Sequence, residues 1–166
     1  MNSQINFEMP LVSGATFSPC GKYRYRLWRQ WDERGIAIFI MLNPSTADES
    51  QDDPTIRRCI GFAKAWGFGA VEVLNLFALR ATNPKELYSV DDPIGPENDA
   101  VIWERTGAPM VAKVICAWGV HGAFKQRGRR VYVGINRPRW HLGLTKDGHP
   151  KHPLYLRADT KPVEWK

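Results

Sequence analysis

The chain has 166 residues, 43% of them hydrophobic and 24% charged, with a formal net charge of +6 and three cysteines. That length suits one domain with a single core, the composition excludes a disordered or collagen-like chain, and no apolar run approaches the ~20 residues that span a bilayer. Cys20, Cys59 and Cys116 lack the C-x-x-C spacing of zinc or iron–sulfur sites and read as reduced thiols, Cys116 in the core. Met1 to Pro10 shows no basic-then-apolar leader, so the expected compartment is the cytoplasm. The positive balance leans toward an anionic partner, nucleic acid being the commonest, or reflects only a mildly basic surface.

Residues 15–31 read as a hairpin turning at Ser18-Pro19-Cys20-Gly21. Tyr23, Tyr25 and Leu27 alternate with Arg24, Arg26 and Trp28, which predicts one buried and one solvated face. The continuous apolar run Ile36 to Leu42 suits a central strand, and it ends in Asn43-Pro44. Asp53 before Pro54 reads as an N-cap with proline in the first turn, opening a helix that runs to Trp66 with Ile56, Ile60 and Ala63 on one face. Val71 to Phe77 is a second inner strand carrying Asn75. Thr82-Asn83-Pro84 starts a short helical turn, and Pro96 starts a helix toward Gly107. Val111 to Gly119 reads as a third strand, Gly122 to Arg130 as a basic segment, and Trp140 to Leu144 as a last strand, with Val131 to Val133 undecided.

This alternation predicts an α/β fold: a three-layer α/β/α sandwich around a mainly parallel central sheet, with an N-terminal β-hairpin, all in one domain. Ligands of such sheets bind beyond the carboxyl ends of the strands. Asn43-Pro44-Ser45-Thr46, Asn75 and Trp118-Gly119 are all expected there.

Those signatures, in this order, resemble the uracil-DNA glycosylase superfamily. Met41-Leu42-Asn43-Pro44 is similar to the family's strand-ending Gly-x-Asn-Pro, and Val73-Leu74-Asn75 to its later strand ending in Asn. Phe77-Ala78-Leu79-Arg80-Ala81, Ala117-Trp118-Gly119 and His152-Pro153-Leu154-Tyr155 follow in the family's order. The chain also looks like a member of an uncharacterised bacterial and phage domain family with Leu-Asn-Pro-Ser-Thr-Ala and His-Pro-Leu-Tyr-Leu signatures.

The resemblance implies hydrolysis of an N-glycosidic bond to a flipped-out base, or recognition of such a base. It assigns Asn43 to hold the attacking water and His152 to donate to the departing base. Asn75 would read the base edge, because one amide offers a donor beside an acceptor. Pro44, Ser45, Thr46, Arg80, Trp118, Gly119, Pro153, Leu154 and Tyr155 would line the substrate site, with Leu154 or Tyr155 a candidate wedge into the stack. Each has a plainer reading: Asn43 as a turn former, Asn75 as a satisfied core amide, His152 as a loop histidine.

Lys125, Arg127, Arg129, Arg130, Arg137 and Arg139 fall close together with no acid among them, and Lys151 adjoins His152. They are the expected phosphate contacts of a DNA partner, or a solvated basic face. No cofactor, metal or membrane partner is expected, and the protein is expected to act as a monomer. Ser45 stands where uracil-specific members carry tyrosine, and the His-Pro lacks its following Ser-Pro, so a modified or damaged base is expected rather than strictly uracil. A free nucleotide or nucleoside, and a binding module without chemistry, remain the alternatives.

Overall fold

The apolar runs set the order of the strands, and the turn formers between them set the helices. The structure is a computed structural model that describes residues 11–166; the leader expectation for Met1 to Pro10 lies outside the described residues. The strands are β1 (Val12–Phe17), β2 (Arg24–Gln30), β3 (Ile36–Met41), β4 (Ala70–Asn75), β5 (Val111–Cys116), β6 (Arg139–His141) and β7 (Val163–Glu164). The helices are α1 (Pro54–Ala65), α2 (Asn98–Thr106) and α3 (Arg127–Gly134), joined by short 3₁₀ turns at Pro84–Tyr88, Val120–Gln126 and Pro153–Tyr155. None of the helices among the described residues is long and apolar enough to cross a membrane.

The strands form one sheet in the order β1-β2-β4-β3-β5-β6-β7. The middle four, β4-β3-β5-β6, run parallel. β1, β2 and β7 are antiparallel to their neighbours, so the sheet is mixed rather than mainly parallel. The N-terminal hairpin is built into the sheet: β2 pairs with β4, Leu27 opposite Val73. β7 is two residues long, too short for its hydrophobic pattern to announce it.

Buried side chains fall into two clusters, as period-two alternation along β3 requires. Phe39, Val73 and Ile115 pack with Ile56, Cys59, Phe62 and Ala63 of α1. Ile38, Ile40, Leu74 and Cys116 pack with Ile102 of α2 and Val131 of α3. α1 begins where expected: the Asp53 carboxylate accepts from Ile56 N at 2.8 Å, and Pro54 occupies the first turn.

Two expectations need correction, and one stretch left open takes a definite form. The second face of β2 is not solvated: Arg24 is 2% exposed because it reaches into the loop after β3, and Arg26 and Trp28 are half-buried. The basic segment and the undecided Val131 to Val133 form the Val120–Gln126 turn and α3. The third strand stops at Cys116, so Ala117 to Gly119 already belong to the loop at its carboxyl end.

Candidate functional site

β3, β4 and β5 end level with one another. Leu76 N donates to Met41 O, Phe77 N to Leu42 O and Ala117 N to Ile40 O, which carries the pairing one or two residues past the strand ends. Beyond these ends lies a cavity of about 460 Å³. Asn43, Ser45, Asn75, Trp118, Gly119, His152, Leu154 and Tyr155 all line it, although they come from four separate stretches of chain. Pro44, Thr46, Arg80 and Pro153 do not line it: Pro44 and Pro153 are buried, and Thr46 and Arg80 are exposed.

Asn43 is held by its amide nitrogen, which donates to Ala81 O at 2.7 Å and Pro44 O at 3.1 Å. Two carbonyl partners settle the orientation of the amide and leave Oδ1 as its acceptor. An acceptor can orient a water but cannot take its proton at neutral pH.

Asn75 closes β4 and is 1% exposed. Its Nδ2 and Oδ1 are both buried without a hydrogen-bond partner among the described residues. Its backbone, by contrast, is firmly gripped. Asn98, at the start of α2, donates through Nδ2 to Asn75 O at 2.9 Å and Leu76 O at 3.1 Å, and Arg127 Nε donates to Leu76 O at 2.8 Å. Arg127 is itself buried and paired with Asp99. Two helices therefore hold the strand end while the side chain it carries is left unpaired.

His152 Nδ1 accepts from Leu154 N at 3.2 Å. That bond places the ring proton on Nε2, the outer nitrogen. Burial lowers its pKa from the ordinary 6.5, against an opposing pull from the charge of Asp53. The ring is therefore a neutral donor at pH 7.

Sequence reasoning missed several lining residues: Arg24, Asp53, Thr55, Thr82 and His121. Asp53 carried a signal, but only as a helix cap. Arg24 was hidden by its place in an alternating strand. Its Nη1 donates to Ala47 O at 2.8 Å, its Nε has no partner among the described residues, and burial lowers its pKa to about 10. Of the four acids in the loop after β3, Asp53 alone lines the cavity. Asp52 pairs with Arg29, and Asp48 accepts from Ser50 N and Gln51 N. Aromatic walls come from Trp118 and Tyr155 rather than from that loop. Trp118 is fixed by glycines: a Cβ at Gly122 would lie 2.2 Å from its ring and one at Gly128 2.7 Å away.

The basic segment divides. Lys125, Arg129 and Arg130 are exposed around one shallow depression, and Lys151 is exposed beside His152. Arg127 is consumed internally. Arg137 donates to Thr106 O and Val111 O. Arg139 donates to Ile135 O at 3.1 Å and lies over the Tyr132 ring. Neither belongs with the outward cations.

No curated protein and no solved structure matches the chain. Residues 24–154, most of the chain, match the family described as protein of unknown function (DUF1643), and the chain belongs to that family.

Proposed function

We propose that this protein is a hydrolase of N-glycosidic bonds, or a base-recognising relative of such enzymes, acting on a modified or damaged base in DNA. The fold proposed with it is a three-layer sandwich of the uracil-DNA glycosylase kind; helices belonging to both buried clusters support that arrangement. The observation that carries the reading is Asn75. An unsatisfied buried polar group costs about 1–3 kcal/mol, and here donor and acceptor of one amide are both unsatisfied at a cavity wall. A cyclic amide edge, N–H beside C=O, supplies the complementary pair.

The neighbouring groups suit the chemistry. As the C–N bond stretches, the sugar becomes cationic and the base anionic. Asn43 Oδ1 can orient a water toward the sugar carbon. His152 Nε2–H can hydrogen-bond the oxygen on which the base gathers charge. Lys125, Arg129 and Lys151, together with Arg130, which Asp99 holds only at 3.8 Å, are the cations of this region turned outward to meet phosphates.

The test is an abasic-site assay on oligonucleotides carrying uracil, hypoxanthine, xanthine, oxidised and hypermodified bases, single- and double-stranded. Removing one preorganised donor costs about 10²–10³ in rate, so His152→Ala is expected to lose that much, and Asn43→Ala a similar amount. Release of any base by wild type and not by these variants supports the reading. Equal activity in both variants overturns the site. No release of any base overturns the hydrolase.

A second reading, a free nucleotide or nucleoside as substrate, is favoured by one observation. Arg127, Arg137 and Arg139 are spent inside the protein, which thins the phosphate footprint. Binding to DNA would fall steeply with salt, whereas turnover of a monomer would not.

A further inference from the structure

β2 sends two buried arginines toward the loop after β3, and they differ in one respect. Arg29 is saturated: Nε pairs with Asp52 Oδ1 at 2.9 Å, Nη1 donates to Trp28 O at 2.8 Å and Nη2 to Asp48 O at 2.7 Å. Arg24 donates once, from Nη1 to Ala47 O, and forms no ion pair among the described residues. Its Nε is unpartnered, and Arg24, unlike Arg29, lines the cavity. A buried charge without a counter-ion is costly, and a structural arginine needs none of these spare donors. The groups whose charges reach it are Asp53, Asp48, Arg80 and Arg29. Both carboxylates are engaged elsewhere, Asp53 as the cap of α1 and Asp48 on Ser50 N and Gln51 N.

We infer that Arg24 is the anion receptor of this cavity, the group that receives negative charge on the ligand, either an ionised nucleobase or a phosphate. The Asp53 carboxylate lines the same cavity and its charge reaches Arg24, so the anion competes with that partial neutralisation for the guanidinium. The inference rests on the nucleobase reading for its choice of probes. It explains why the loop after β3 is pinned by two arginines when one of them is left short of partners.

The experiment is isothermal titration calorimetry at pH 8 with three probes: neutral uracil, 5-nitrouracil (an anion at that pH) and inorganic phosphate. Wild type, Arg24→Met and Arg24→Gln are compared, the glutamine keeping a donor for Ala47 O and circular dichroism confirming the fold. A charge-assisted hydrogen bond supports a change of at least about tenfold in affinity. Wild type should bind 5-nitrouracil that much tighter than uracil, and in both variants the ratio of the two affinities should fall toward one; that result identifies the base anion. Loss of phosphate binding alone in both variants supports the inference and identifies phosphate as the anion. If uracil affinity falls in parallel, Arg24 merely holds the loop and the inference is overturned. It is equally overturned if no anion binds, or if the variants bind anions as wild type does. Arg24-dependent anion binding in a protein that releases no base would sink the hydrolase reading and leave this inference standing.

Discussion

Two polar residues three apart on β4 are buried to the same degree and treated in opposite ways. Glu72 and Asn75 are each 1% exposed. Glu72 receives four donors: Arg26 Nε and Nη2 at 3.0 and 2.7 Å, and Arg105 Nε and Nη2 at 2.9 and 2.6 Å. Burial would raise its pKa, but the Arg105 and Arg26 guanidiniums outweigh that and hold it below the usual carboxylate range. This cluster ties β2, β4 and α2 together. Asn75, at the carboxyl end of the same strand, has no side-chain partner among the described residues. A saturated buried group contributes to stability; an orphaned one beside a cavity subtracts from it until a ligand arrives.

Glu72→Ala should break the comparison at its stable end with the largest effect. It strands two guanidiniums, and removing one side of a buried pair costs about 3–5 kcal/mol. We expect about 3, because both arginines reach solvent and water offsets part of the loss. Denaturant unfolding measures the cost. Ligand binding by the folded fraction should be unaltered, and a matching loss of binding would mean the two regions are coupled.

Asn75→Leu should act in the opposite sense. Removing both orphaned groups while keeping bulk should raise stability by about 1 kcal/mol, and nucleobase binding should disappear. A variant less stable than wild type would show that the amide is structural, which would erase the contrast.

The smallest effect is the pH dependence at His152. Its folded pKa lies below the unfolded value near 6.5 because of burial. As pH falls, the unfolded chain takes up this proton first. The stability contributed by the neutral ring is complete above 6.5 and is lost as pH falls from there through the lowered folded pKa. An NMR titration of the ring should give a midpoint below 6.5, and activity should persist below 6.5. A midpoint at or above 6.5 would mean the ring is open to water and the cavity wall is not as closed as Asn75 requires.

Much of this arrangement was legible in the chain. Apolar runs announced the inner strands, unbroken in β3 and interrupted by Glu72 in β4 and Lys113 in β5. Asp53-Pro54 marked the start of α1, and the strand-end rule brought Asn43, Asn75 and Trp118 to one place. These are local or topological signals, carried by residue order alone. Where the reading failed, the cause was spatial. Period-two alternation assigned Arg24 to solvent because it cannot register a loop folding back over the strand. Counting cations put Arg127, Arg137 and Arg139 with Lys125, Arg129 and Arg130, since charge along a chain does not say which side chain finds a carbonyl.

The amino-acid sequence therefore determined the inner strands, the start of α1 and the end of the sheet where a ligand can sit, because hydrophobic period and turn chemistry are properties of neighbouring residues. Only the tertiary structure decided which polar groups are satisfied. Whether Glu72 finds Arg26 and Arg105, whether Asn75 finds nothing, and whether Arg24 keeps spare donors at a cavity all depend on partners dozens of residues away. Hydrogen bonds act over about 3 Å, and only folding brings such residues that close.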